Sequence, residues 1–424
     1  MGLKNLLDAG LIIAGMKRNQ WKSRAELESL QEERLLKLLA HAKSNVPFYR
    51  NSLRGATVRS LEDLSSLPAL GKSAVKNAAQ SFIPKTCDPS KIHIMYTSGS
   101  TGTPITLFFD KTDSLYGSAL RFHTLTECGF GPKDMLANLS ATHFTQAPFQ
   151  RFFYRIENLS PHESEERVLS GLRAIRASSI FAFPSTLSLL AGQNLMAKKP
   201  LRMRLAISCS EFLSKTARSI IARSFMCDVR DYYGSSESWS LGFECEKGSL
   251  HLNSDSVIME IVDDEGMPQK DGKAGHVLIT SLWRYSMPFI RYRIGDIASM
   301  GKKCPCGRGL HVISSLDGRQ ADVVVLPSGR MVPWASIQIP LSEMPGLLRF
   351  QCVQETRDKL RISAIPISSA STPGGKTLSE KDLIKAVLAV LPEAMDIDVA
   401  FVESIPRSSS GKMRDFTSKL SPSS

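Results

Sequence analysis

Long apolar runs are missing from this sequence. The best candidate, Gly10-Leu11-Ile12-Ile13-Ala14-Gly15-Met16, is bracketed by Asp8 and Lys17 and falls far short of the ~20 residues that a membrane span requires. A basic leader region and a small-residue cleavage site are missing as well, so neither a span nor a signal peptide is expected. Paired cysteines are scarce. Of eight cysteines, at 87, 128, 209, 227, 245, 304, 306 and 352, six have no close sequence partner, which excludes a small secreted disulfide scaffold and points to a reducing compartment, the cytoplasm. Acidic residues are in deficit, 41 against 53 Lys and Arg, giving a net charge of +12. Such a field attracts anions: nucleotides, phosphorylated carriers or nucleic acid. The basic residues are scattered, with no Arg-rich tail and no basic-aromatic stripe, so nucleic acid is not the expected partner.

The common phosphate loops are absent too. Gly71-Lys72, Gly375-Lys376 and Gly411-Lys412 each lack the glycine that a Walker loop needs five residues earlier, where Ser66, Ala370 and Pro406 stand. Gly129-Phe130-Gly131 has no third glycine of a dinucleotide-binding turn. What is present is Thr97-Ser98-Gly99-Ser100-Thr101-Gly102-Thr103, five hydroxyls and two glycines in seven residues. Those donors suit the wrapping of phosphate oxygens. Read alone, the stretch suits a solvated hairpin loop equally well.

Around this loop the pattern is that of an α/β protein. Leu27, Leu30, Leu35, Leu38 and Leu39 recur near a 3.6 period, predicting a helix over 23–43 that Asn45-Val46-Pro47 ends. Short apolar segments at 92–96 and 105–109 predict strands flanking the hydroxyl-rich loop. Strands at 180–183 and 205–208 alternate with helices at 185–197 and 214–225, the order of a layered α/β fold. Segments 257–263 and 276–280 read as antiparallel strands, with a turn at Asp264-Glu265-Gly266. After Asp317-Gly318-Arg319 the texture changes to a hairpin at 323–332 and a helix at 379–391, with a Ser/Pro/Gly-rich loop at 367–376. The expected boundary lies near 318, between a large N-terminal domain, 1–318, and a small C-terminal one, 319–424.

Five motifs then occur in order: Tyr96 to Pro104, Tyr232-Tyr233-Gly234-Ser235-Ser236-Glu237, Arg291-Tyr292-Arg293-Ile294-Gly295-Asp296, Gly318-Arg319, and Pro406-Arg407-Ser408-Ser409-Ser410-Gly411-Lys412. Together they resemble the core motifs of adenylate-forming acyl-CoA synthetases, and most of all the phenylacetate-CoA ligase family with its relatives from capsular-polysaccharide gene clusters. Asn45 to Tyr49 and Leu67 to Lys72 resemble that branch's N-terminal region. The resemblance implies a large multi-sheet α/β N-terminal core with a small, mobile α+β C-terminal lid. It also implies activation of a carboxylic acid by ATP and Mg²⁺ to an acyl-adenylate, followed by transfer to coenzyme A. A carrier-protein thiol, an amine or a sugar is the alternative acceptor.

Residue by residue, the resemblance gives Ser98, Gly99, Ser100, Thr101, Gly102 and Thr103, next to Thr97, the β- and γ-phosphates. Tyr233 would stack on adenine, Gly234 and Ser235 lead to Ser236 at the α-phosphate, and Glu237 would hold Mg²⁺, a hard cation preferring oxygen. Asp296 would accept from the ribose hydroxyls, assisted by Arg319. Ser210 and Glu211 stand where the branch lines its adenine pocket. Lys412 resembles the lysine that reaches the carboxylate and α-phosphate during adenylation. Phe181, Phe183, Trp239 and Thr142-His143-Phe144 are candidates to line the acid pocket or to pack the core. A non-catalytic nucleotide-binding module is the reading from another class, and the joint presence of Glu237, Asp296 and Lys412 argues against it. One departure stands out: relatives carry two acidic residues after Gly-Arg-Xaa, the first a hinge, whereas this chain reads Gly318-Arg319-Gln320-Ala321-Asp322.

Cys245, His251, Cys304 and Cys306 form a separate constellation. Three sulfurs and one imidazole make a closed tetrahedral donor set suited to structural Zn²⁺, with no position left for water. Two thiols one residue apart are a tighter spacing than the usual pair. The other reading is free thiols beside an unrelated histidine. Some members of the resembled branch carry a similar set.

Overall fold

A computed structural model describes residues 3–97, 104–140, 144, 154–319, 322–367, 378–408 and 411–420. They divide into two compact units, Met1–Gly129 with Tyr232–Asp317, and Phe130–Asp231 with Gly318–Ser424.

In the first unit, the helix Arg24–Asn45 opens on a reciprocal cap in which Ser23 Oγ accepts from Glu26 N–H and the Glu26 carboxylate returns to Ser23. It buries Leu27, Leu35, Leu38, Leu39 and Ala42 and stops at extended Val46, as a following proline demands. Strands Val257–Val262, Gly275–Ser281 and Tyr292–Gly301 form an antiparallel meander, with Val262 opposite His276 and Val257 opposite Ser281. A second run joins Trp239–Glu244, Leu250–Leu252 and Val312–Arg319. The short strands His93–Tyr96 and Thr106–Phe109 pair antiparallel, Tyr96 opposite Thr106. Residues 98–103 between them lie outside the described residues.

The second unit contains a parallel sheet in the spatial order Arg155–Asn158, Met135–Asn138, Ser179–Ala182 and Leu205–Cys209. Its strands Ser179–Ala182 and Leu205–Cys209 are buried throughout. Helices Glu165–Ala174, Pro184–Leu195 and Lys215–Phe225 cover the face that carries Ile180 and Ala206, packing Leu172, Leu187, Leu190 and Ile221 on it. The C-terminal part of this unit has a core of its own. Strands Asp396–Phe401, Lys359–Pro366, Leu347–Thr356 and Phe416–Ser418, in that order, enclose Trp334, Phe350, Ile362, Leu383, Val387 and Phe416 with the helices Ala335–Ser342 and Glu380–Leu388.

The chain crosses between the units at Gly318, whose φ of +102° only glycine adopts without strain. Gln320 and Ala321, at the hinge place, lie outside the described residues, as does most of the expected 367–376 loop. The units differ from a simple division at 318, since 318–424 groups with 130–231. No described helix is long and apolar enough to cross a membrane.

Gly309 marks one close approach: its N–H donates to Gln20 O at 2.9 Å, and a Cβ there would lie 1.8 Å from Lys22 O. Backbone cannot yield as a side-chain tip does. Gly309→Ala should therefore cost about 2–4 kcal/mol, read as a lowered thermal midpoint. An unchanged midpoint would mean that the chain does not close there.

Candidate functional site

Tyr233, Gly234 and Ser235 end the strand Asp228–Ser235, and the ladder to Trp239–Glu244 shifts register at Tyr233/Gly234. A side chain at 234 would put Cβ 2.3 Å from Trp239 O, so glycine is needed for the return. Ser235 Oγ accepts from Ser238 N–H at 3.1 Å, bracing the turn that presents exposed Ser236 and half-buried Glu237. Tyr233 is buried, and its hydroxyl donates to Asp296 Oδ2 at 2.8 Å. Gly295, with φ +88°, brings Asp296 into that position. Two sequence-predicted nucleotide residues thus meet directly.

Glu237 is held from two sides. The buried Tyr292 hydroxyl donates to its Oε1 at 3.1 Å. Arg284, with no exposure, donates to the Glu237 carbonyl at 2.5 Å and to the Phe108 carbonyl at 2.7 Å, its guanidinium lying 3.8 Å from the Phe109 ring centroid. Burial pushes this guanidinium down to about 10, with Asp113 and Glu237 opposing, so it remains charged at neutral pH. Asp113, itself buried, accepts from Ser286 N–H at 2.9 Å and Ser286 Oγ at 2.5 Å. Phe108 lies on the strand that leaves the hydroxyl-rich loop. Thr97, at the loop's other end, accepts from Ile105 N–H through Oγ1 at 2.9 Å, closing its neck.

In the second unit, Lys412 sits in a loop tied down by its neighbours. Arg407 donates to Glu165 Oε1 at 2.8 Å and Thr186 Oγ1 at 3.3 Å, and also to the Pro161 carbonyl at 2.5 Å. Ser408 N–H donates to Lys412 O at 2.8 Å, and the Lys412 ammonium stands 5.7 Å from the Phe183 ring centroid. Ser210 is exposed with φ +65°. Glu211 faces the lysine loop, accepting from Met413 N–H at 3.1 Å. Arg319 is exposed.

Among the acid-pocket candidates, Trp239 packs on Phe109 and Trp283 over Gly117, which makes it part of an aromatic core. Phe144 meets Phe181 edge to face at 5.7 Å, both buried. Thr142 and His143 lie outside the described residues.

The sulfur and imidazole constellation comes together as one cluster. Ligand atoms of Cys245, His251, Cys304 and Cys306 all lie within 4.8 Å of one another. Cys245 Sγ is 3.7 Å from Cys304 Sγ, and Cys306 Sγ is 3.3 Å from His251 Nε2. Zn–S bonds of about 2.3 Å around a tetrahedron set sulfur-sulfur edges of about 3.8 Å, so the donor set fits. Burial, then Arg308, pushes the His251 imidazole down to about 4, leaving it in the neutral form that ligates. Arg308 beside it joins Gln20, Glu127 and Glu246.

A family model described as AMP-binding enzyme matches residues 27–284. This chain belongs to the AMP-binding enzyme family. It is 27% identical over 333 residues to a phenylacetate-coenzyme A ligase of Thermus thermophilus, covering 73% of this chain and 74% of that one. It is 21% identical over 298 residues to Protein CapK of Staphylococcus aureus, covering 66% and 64%. A crystal structure of a 2-hydroxyisobutyryl-CoA ligase with 2-HIB-AMP superposes with a TM-score of 0.80 at 20% identity, covering 95% of this chain and 92% of that one. The fold is that of adenylate-forming enzymes.

Sequence reasoning missed Arg284, Asp113 and Tyr292 in this AMP-binding enzyme. A lone arginine carries no local pattern; the only available signal was Tyr292 lying inside a recognised motif. Arg284 Nε stands 3.8 Å from Asp113 Oδ2, so removing the guanidinium leaves the buried Asp113 carboxylate without its countercharge. Arg284→Met should cost about 3–5 kcal/mol, and adding Asp113→Asn should recover part of it, as denaturant midpoints would show. Equal loss in single and double variants would dissolve the pair.

Proposed function

We propose that this AMP-binding enzyme converts a carboxylic acid, ATP and coenzyme A into an acyl-CoA, AMP and pyrophosphate in two half-reactions. In the first, a carboxylate oxygen attacks the α-phosphorus of ATP and the bond to pyrophosphate breaks. In the second, the thiolate of coenzyme A attacks the acyl carbon, forming the thioester and releasing AMP. The observation that carries this reading is the Tyr233–Asp296 hydrogen bond at 2.8 Å beside the tethered Glu237. A phenol ring and a carboxylate fixed together suit an adenine face and a ribose diol. The family match and the five ordered motifs support the same assignment.

In this reading Tyr233 stacks on adenine, with Gly234 next to it at the same strand end. Asp296, with Arg319, takes the ribose, and the Thr97–Thr103 donors hold the β- and γ-phosphates. Ser235 and Ser236 approach the α-phosphate, and Lys412 offsets the charge that develops as the carboxylate and phosphate come together. Glu237 would hold Mg²⁺, which supplies charge neutralisation on the triphosphate when bound. The separate core of the C-terminal segment supports a lid over 319–424. None of the eight cysteines is in a disulfide, which fits a cytoplasmic enzyme.

The Cys245, His251, Cys304 and Cys306 set is assigned a structural Zn²⁺, which would clamp the 245–251 hairpin to the 304–306 turn. Four protein ligands leave no place for a reacting water.

Four measurements test the reading. Acid-dependent ATP–pyrophosphate exchange, screened over aryl, fatty and amino acids, should find at least one active acid; Lys412→Ala should lower that exchange by about 100-fold or more while ATP binding changes little. Exchange at the wild-type rate would remove Lys412 from the chemistry. AMP release should then require coenzyme A; release driven instead by an amine, a sugar or a carrier-protein thiol would replace the acceptor. Asp296→Ala should weaken ATP binding by about 10- to 100-fold, the worth of charge-assisted hydrogen bonds. Elemental analysis of protein purified without chelator should give about one zinc per chain, lost with Cys304→Ser and Cys306→Ser together along with thermal stability. Zinc retained by the double variant would refute the site.

A further inference from the structure

Glu211 occupies a position that neither its place in the sequence nor adenine recognition explains. Its carboxylate bridges two main-chain donors, Oε2 accepting from Ser185 N–H and Oε1 from Met413 N–H, each at 3.1 Å. Ser185 lies in the first turn of the helix Pro184–Leu195, where backbone N–H groups have no partner within the helix. Met413 directly follows Lys412. The same carboxylate therefore joins a fixed helix start to the residue next to the lysine. Burial raises the Glu211 carboxyl above its ordinary range, with Arg349 opposing. Two further anchors hold the loop from its other end. Arg407 reaches Glu165 and Thr186. Gly411, at φ +80°, packs so closely on Pro161 that a Cβ would lie 2.8 Å from its ring.

We propose that Glu211 is a positioning residue: through Met413 it fixes the backbone on which Lys412 is presented, and it serves acyl-adenylate formation and not thioester formation. The proposal rests on the role of Lys412 given above. A lysine side chain has a flexible four-carbon stem, so placing its ammonium where charge develops requires that its main chain be held. The bond from Glu211 to Met413 N–H does this one peptide away, and Arg407 and Gly411 prevent drift on the other side.

Glu211→Gln keeps the volume and one acceptor oxygen, but turns the other oxygen into a donor facing an N–H. Acid-dependent pyrophosphate exchange should fall about 30-fold or more, mainly in kcat, while KM for ATP changes by less than about threefold. Thioester formation from the presynthesised acyl-adenylate of the acid that drives exchange should stay within about twofold of wild type. Tryptic cleavage after Lys412 in the ligand-free protein should accelerate, because the freed loop visits extended conformations more often. Glu211→Asp, one methylene too short to span both donors, should give the same pattern and covers the case in which the amide variant folds poorly. Equal loss of both half-reactions, a change confined to KM for ATP, or unchanged cleavage after Lys412 would overturn the proposal. If the wild-type protein shows no exchange with any acid, the enzymatic reading falls, and cleavage after Lys412 still decides whether Glu211 holds the loop.

Discussion

A buried positive charge organises the first unit. Arg284 has no solvent exposure and spends its guanidinium on the Glu237 and Phe108 carbonyls, over the face of Phe109 and close to Asp113. A charge removed from water is tolerated only when its field is used. Here it is used to fix the main chain at Glu237 relative to the strand leaving the hydroxyl-rich loop. Tyr292 then fixes the Glu237 carboxylate, and the Tyr233–Asp296 bond sets the next pair of groups. The polar groups of this half thereby hold one another in place.

The second unit applies the same rule with the sign reversed. There a half-buried carboxylate, Glu211, organises a basic segment by accepting from main-chain donors. Arg407 adds an ion pair and Gly411 a steric stop. Cys245, His251, Cys304 and Cys306 come together elsewhere, beside Arg308 with its Gln20 and Glu127 partners. Mobility is thus restricted locally, where a side chain must face charge.

Sequence made legible those parts whose residue types are set by chemistry. Tyr233, Glu237 and Asp296 stand in motifs of recognisable order, and Tyr233 and Asp296 meet in a hydrogen bond. The clustering of Cys245, His251, Cys304 and Cys306 was anticipated from donor type, although Cys245 and Cys304 lie 59 residues apart. Helix Arg24–Asn45 and the strands flanking the loop followed from periodicity and caps. What was not legible depends on long-range geometry. The bond from Arg284 to Phe108 spans 176 residues and that from Met413 to Glu211 spans 202, and no local pattern encodes either. The grouping of 318–424 with 130–231 was hidden for the same reason. Trp239, which the sequence left open between a pocket and the core, is partly buried and packs against Phe109 and Trp283.

In the first half-reaction proposed for this enzyme, a carboxylate oxygen attacks the α-phosphorus of ATP. Supplying the active acid with both carboxylate oxygens labelled as ¹⁸O and analysing the products by mass spectrometry tests this directly. The account predicts one ¹⁸O atom in the phosphate of AMP and none in pyrophosphate. Label in pyrophosphate or in inorganic phosphate, or unlabelled AMP, would contradict it.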